Sequence, residues 1–300
     1  MTGGVTAGFL LVDKPSGWTS HDVVAKVRNL YGIKKVGHAG TLDPMATGLV
    51  VLGLGRATRL LRFVQAAPKE YLATAVFGVA TDSLDADGAI LERTEMEVSQ
   101  SDLEQVMGRF VGKIAQIPPM VSARKIGGKR LYELAREGIE VEREAREVQI
   151  YQLDLLDLSP SPYPEVTFRT ICSTGTYVRT LADDIARAAG GRAHLSALRR
   201  LRNGSLHVDD AVEIGDVEAA KLAGSLSSMV LSPRQGLPDL PQVDIGDELA
   251  AGVRNGLAFP AASLSTLPDD GPVGLVDSTG ELLAVYAVAA GKAGPLVVLA

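Results

Sequence analysis

Between Val36 and Gly48 the chain reads VGHAGTLDPMATG, which sets one carboxylate (Asp43), one imidazole (His38) and two hydroxyls (Thr41, Thr47) among glycines and beside a proline. Glycine lets the backbone adopt positive φ and approach a ligand closely, and Pro44 fixes the turn just after Asp43. Such a loop holds a side chain at a set place and angle, as a nucleophilic or charge-stabilising carboxylate requires. The same composition also makes an ordinary turn. Aspartyl phosphotransfer is disfavoured, because it would want a second carboxylate two residues on, where the chain has Met45.

The elements around this loop must position it. Gly8 to Lys14 reads as a strand ending in a turn at Pro15-Ser16-Gly17. Thr19 or Ser20 then caps a helix with Val23, Val24, Val27 and Leu30 on one face, and Gly32 ends it. After the loop come an apolar strand near Leu49–Leu52, a basic helical turn from Arg56 to Phe63, and an alternating strand from Lys69 to Val79. Thr81 to Gly88 has the look of a calcium loop but lacks the glutamate at its twelfth position, so calcium is rejected. Ser101 to Val111 is a short amphipathic helix. Strands follow at 147–158 and 165–173, then a helix from Gly175 to Ala189, a helical turn from His194 to Leu201, and a strand-like stretch at Gly204–Val208. Strands with few βαβ periods predict an α+β fold with a mixed, mainly antiparallel sheet.

The string GHAGTLDPMATGLVVLGLGRATRL closely resembles the signature of the TruB family of tRNA pseudouridine synthases, and four further motifs in family order extend the resemblance over roughly residues 8–208. It implies a catalytic domain of pseudouridine-synthase type that isomerises uridine 55 in the tRNA T loop, with Asp43 as the catalytic nucleophile. Tyr71, in the string KEY, falls where the family keeps an aromatic against the target base. Arg179, in CSTGTYVRT, matches the arginine that pairs with the aspartate, which would hold its pKa down. Leu198 matches the apolar residue that closes the pocket, and His38 the histidine that fills the space left by the flipped base. The insert at about 118–147 resembles an RNA-gripping flap with Arg124, Lys125, Lys129 and Arg130. Lys14, Tyr177, Arg199 and Arg200 complete the residues expected at the RNA. Thr174 stands where relatives often carry a basic residue. Isomerisation is balanced in charge and redox state, so the resemblance implies no metal and no organic cofactor. The base must be flipped out to be reached. A rival function is a tRNA-binding folding chaperone in which catalysis is secondary.

Composition bounds these expectations. Apolar residues make up 46% of the 300, which indicates a globular chain of about two domains, and no apolar run approaches the ~18 residues that span a bilayer. With a single cysteine, four dispersed histidines and no signal-peptide pattern, a cytoplasmic, metal-free monomer is expected. The net charge of −6 hides opposed blocks: Tyr31–Arg62 and Thr176–Arg202 are basic, whereas Thr81–Glu104 is acidic. Such blocks can give an acidic protein one polyanion-binding face. Prolines after residue 230 mark a linker, so the expected domains are 1–230, catalytic, and 231–300, a small β-rich PUA-like RNA-binding module. That module carries only Arg254 and Lys292 as cations after the linker, which leaves a structural cap as its alternative role.

Overall fold

The structure is a computed structural model that describes residues 7–119, 125–126, 129–130, 141, 143–264 and 271–299, with 125–126 and 129–130 as backbone alone. In chain order the first elements are β1 (Ala7–Lys14), α1 (Ser20–Tyr31), β2 (Val36–His38), β3 (Thr47–Gly55), a 3₁₀ turn (Arg56–Leu60) and α2 (Leu61–Ala66). Next come β4 (Lys69–Phe77), β5 (Val79–Thr81), β6 (Ile90–Arg93), α3 (Gln100–Gly108), β7 (Gly112–Gln116), β8 (Lys125–Ile126) and β9 (Lys129–Arg130). They are followed by β10 (Arg146–Ser159), β11 (Glu165–Cys172), α4 (Val178–Ala188), β12 (Ala193–Asn203), β13 (Leu206–His207) and α5 (Ile214–Ala223).

These strands build a nine-stranded sheet along the order β1-β3-β12-β4-β11-β10-β7, with β2 and β13 on its flanks. All of its pairs are antiparallel except β3 with β12, so the sheet is mixed as expected. Helix α1 starts at a capping box, in which the Thr19 hydroxyl accepts from Asp22 N–H and the Asp22 carboxylate accepts from Thr19 N–H; it ends at Gly32 in the left-handed region. The alternating residues of β1 and β3 are buried on both faces: Leu10, Val12, Val50 and Leu52 on one, Phe9, Leu11, Leu49 and Val51 on the other. That double burial is why β3 reads as an unbroken apolar run.

The helical turn expected at His194–Leu201 is instead part of strand β12, at the centre of the sheet. Register shifts between Leu195 and Ala197 and between Arg200 and Arg202 each insert one residue. The buried positions therefore fall at Ala193, Leu195, Leu198, Arg200 and Asn203, a spacing of two and three that imitates a helix.

The C-terminal part forms a five-stranded sheet from β14 (Gln242–Asp244), β15 (Phe259–Pro260), β16 (Pro272–Val276), β17 (Leu282–Ala289) and β18 (Lys292–Val298), with α6 (Asp247–Arg254) against it. Val276, Leu282, Val285, Val297 and Leu299 of this part share one apolar cluster with Phe9, Leu49, Leu60 and Val64. Three basic residues expected on an RNA face lie at this seam. Arg56, Arg59 and Arg62 donate to the carbonyls of Leu299 (2.7 Å), Val298 (2.6 Å) and Leu296 (3.1 Å). No helix among the described residues is long and apolar enough to cross a membrane.

Candidate active site

The loop bearing Asp43 is held from both sides by buried cations and backbone. Lys14, at the end of β1, is fully buried, and its Nζ donates to the carbonyls of Pro15 (2.9 Å), Trp18 (2.6 Å) and Pro44 (3.2 Å). Burial pulls its pKa down to about 8. The Ser20 hydroxyl at the start of α1 accepts from Leu42 N–H at 2.8 Å, and Gly17 N–H donates to Pro44 O at 2.8 Å. On the other side Arg200, 1% exposed, donates through Nε to Leu49 O (2.6 Å) and through Nη2 to Gly40 O (3.2 Å). Gly48 closes the loop at φ +98°, and a Cβ there would collide with the Arg200 backbone. No other residue type fits that parallel contact of β3 with β12.

Arg179, on the first turn of α4 and 3% exposed, grips Asp43 with two donors: Nη2 to Oδ1 at 3.1 Å and Nε to Oδ2 at 3.0 Å. Its Nη1 donates to Asp85 Oδ2 (2.9 Å) and to Ser83 O (2.8 Å). Asp85 is itself buried, and its Oδ1 accepts from the Ser83 hydroxyl. One guanidinium thus bridges two carboxylates, a geometry suited to fixing orientation. Burial pushes the Asp43 carboxyl above its ordinary value; Arg179 opposes this, Asp85 adds to it, and Lys14 opposes it. Arg179 does pull this pKa down, in the expected direction, but desolvation outweighs the ion pair and the net displacement is upward.

Above this pair lies a cavity of about 320 Å³ lined by Asp43, Tyr71, Tyr177, Arg179, Leu198 and Arg200, among others. Tyr71 and Leu198 come from the paired strands β4 and β12, which place a buried ring and an apolar branch in one wall. Burial raises the Tyr71 phenol above its ordinary value, with the Arg200 guanidinium opposing. Lys69 also lines the cavity, and its Nζ donates to Gln65 O and to Ala67 O (2.6 Å) at the end of α2. Burial lowers its pKa to about 8.

The sequence-predicted residues therefore divide by place. Asp43, Tyr71, Tyr177, Arg179, Leu198 and Arg200 converge on one cavity. His38 stands outside that lining, on β2, half-buried and edge-to-face with His21 at 5.3 Å between ring centroids. Burial lowers its pKa, with His21 adding to the effect. Lys14 and Arg200 lie in the interior as loop clamps, and Arg199 pairs with Asp13 through two nitrogens at 3.0 and 2.6 Å. Arg124 and the side chains of Lys125, Lys129 and Arg130 lie outside the described residues; the backbone of the last three pairs as β8 and β9. In the C-terminal part Arg254 is committed to Asp277 at 2.6 Å. Phe259 and Tyr286 stack on each other at 6.3 Å. Asp85 belongs to the site without any local sequence signal. It sits in an acidic turn with Asp82 and Asp87, and nothing local marks which of the three turns inward. A parallel bridge of Asp85 to Leu195, on the distant β12, decides it. Among the described residues no group of three or more His, Cys, Asp or Glu is placed to hold a metal.

Comparison with known proteins identifies the chain as a pseudouridine synthase, an isomerase. Residues 28–178 match the TruB family pseudouridylate synthase N-terminal domain, and residues 179–234 match the tRNA pseudouridylate synthase B C-terminal domain. The chain belongs to the TruB family. It is 45% identical to the tRNA pseudouridine synthase B of Geobacillus thermodenitrificans (strain NG80-2) over 286 residues, 93% of this chain and 94% of that one. It is 41% identical to the protein of the same name from Solibacter usitatus (strain Ellin6076), again covering 93% and 94%. Among solved structures, the crystal structure of a Cbf5-Nop10-Gar1 complex holds a chain with a TM-score of 0.78 and 25% identity. That match covers 99% of this chain and 86% of that one, so it includes the C-terminal sheet as well as the mixed sheet.

Proposed function

We propose that this enzyme isomerises uridine 55 in the T loop of tRNA, with Asp43 as the essential carboxylate. The observation that carries the reading is the double grip of Arg179 on Asp43 at the base of a cavity walled by Tyr71 and Leu198. The relatives' names supply the tRNA, and the family resemblance supplies the position of the uridine. The reaction breaks N1–C1′, turns the uracil, forms C5–C1′, and transfers the hydrogen from C5 to solvent while N1 gains a proton. Asp43 supplies the nucleophile, and Arg179 aims it and offsets its charge. Tyr71 stacks on the flipped base, Leu198 closes over it, and Tyr177 completes the wall. His38 enters the gap that the base leaves in the loop. Arg199 and the cations of the 118–147 insert are assigned to the RNA-facing side. For Lys14 and Arg200 the observed contacts make any such role indirect, by holding the loop. Residues 1–230 form the catalytic domain and 231–300 the auxiliary module.

The test is to incubate an unmodified tRNA transcript with the enzyme and map pseudouridine by carbodiimide labelling and primer extension. A single stop one nucleotide 3′ of position 55, absent when that uridine is replaced by cytidine, is the expected result. Pseudouridine elsewhere, with position 55 untouched, would overturn the assignment.

A further inference from the structure

Gln116, the last residue of β7, is 1% exposed and spends both ends of its amide on one residue of the cavity wall. Its Oε1 accepts from Tyr177 N–H at 3.0 Å, and its Nε2 donates to Tyr177 O at 3.3 Å. A side chain thereby imitates a strand partner for a residue that has none in the sheet. Tyr177 is the N-cap of α4 and has no side-chain cap of its own, so Gln116 satisfies an amide that the helix start leaves open. Arg179 lies two residues further on.

The other end of the same wall segment is tied in the same way. Ser173 N–H donates to Gln149 O at 2.8 Å, and Gln149 N–H donates to the Ser173 hydroxyl at 2.9 Å. Gln149 belongs to β10, the strand paired with β7. The stretch Ser173–Tyr177 is thus pinned at both ends to this strand pair. Thr174, Gly175 and Thr176, which line the cavity, lie between the pins.

We propose that Gln116 is a positioning residue for catalysis: by fixing the Tyr177 backbone it sets the start of α4 and so the aim of Arg179 at Asp43. Its amide bonds to the Tyr177 backbone, and it acts on Arg179 through the helix. The inference rests on the proposed roles of Asp43 and Arg179. A buried amide serving only the fold would affect stability alone, whereas a positioning amide controls the chemical step.

The test is single-turnover tritium release from a T-arm stem-loop labelled at uridine C5, with binding measured separately, for wild type, Gln116→Met, Gln116→Glu and Asp43→Asn. Methionine keeps the volume and loses both hydrogen bonds. The expected result is a rate lower by about 100-fold, the scale of a ~1 Å misplacement, with Kd within about twofold and a native circular dichroism spectrum. Glutamate keeps an acceptor for Tyr177 N–H, so its rate lies between the two; it decides the matter by the same criterion should the methionine variant fail to fold. An unchanged rate in a folded variant, or a rate lost only in step with binding or folded fraction, would overturn the role of Gln116. Turnover by Asp43→Asn at the wild-type rate would instead overturn the underlying reading of the site.

Discussion

Asp85 offers a sharp perturbation, because its charge and its hydrogen bond act on the site in opposite directions. Replacing it with asparagine leaves a side chain of the same size but removes one of the two carboxylates around Arg179. The lost charge-assisted hydrogen bond to a buried guanidinium costs about 1.5–3 kcal/mol of stability. The asparagine oxygen still accepts weakly, which puts the expectation near the lower end, about 2 kcal/mol. Arg179 then keeps its donors to Asp43 but loses the anchor on its far side, and the plateau rate falls by roughly 10–100-fold. Asp85 also helps push the Asp43 pKa up by repulsion. On the proposed role activity requires ionised Asp43, so the rate rises with pH through that pKa, and removing the repulsion moves the acid limb to lower pH. The assay is single-turnover tritium release between pH 5 and 8.5 alongside urea unfolding. A lower plateau with a limb displaced toward acid is the expected pair. A limb displaced toward neutrality, or an unchanged plateau, would refute the electrostatic account of the triad.

Further outcomes follow from the same geometry. Arg179→Lys removes the two-point grip and leaves Asp43 facing Asp85 with weaker compensation, so the acid limb of the rate profile moves to higher pH and the plateau drops at least tenfold. Gly48→Ala combines a positive φ with a collision at the Arg200 backbone; urea titration should show a loss of about 3 kcal/mol or more. Lys69 is held at about 8 when folded against its usual 10.5, so between those values the unfolded chain binds the extra proton and stability rises with pH. Lys69→Met should flatten the increase in denaturation midpoint between pH 8 and 10, and an undiminished increase would contradict the assignment. Arg59→Ala should speed amide exchange in Lys292–Val298 while leaving stem-loop turnover unchanged, because its donor holds the end of that strand.

Much of this architecture is legible in the chain because local and global signals agree. Thr19, Asp22 and Gly32 announce both ends of α1 by capping chemistry, and the unbroken apolar run of β3 reflects burial on two faces. Strand β12 imitates a helix in sequence because two bulges give its buried residues a helix-like spacing, and only the partner strand reveals them. In the site, Asp43 and Arg179 stand in recognisable strings, but the bond between them spans 136 residues and has no local trace. Asp85 is selected by a contact with β12 and looks like its acidic neighbours. The basic residues are placed in a consistent way. Lys14 and Arg200 are interior clamps, and Arg56, Arg59 and Arg62 serve the end of the C-terminal strand. A cation count records charge, whereas carbonyls brought up by the fold decide where that charge is spent.

In the proposed function the Asp43 carboxylate performs the isomerisation. Tritium release from a C5-labelled T-arm stem-loop by wild type and Asp43→Asn, with binding measured in parallel, tests it most directly. Asparagine preserves the size of the side chain and removes its charge and nucleophilicity. Full release by wild type, none by Asp43→Asn, and equal affinity for both is the predicted result. Release by Asp43→Asn at the wild-type rate would contradict it.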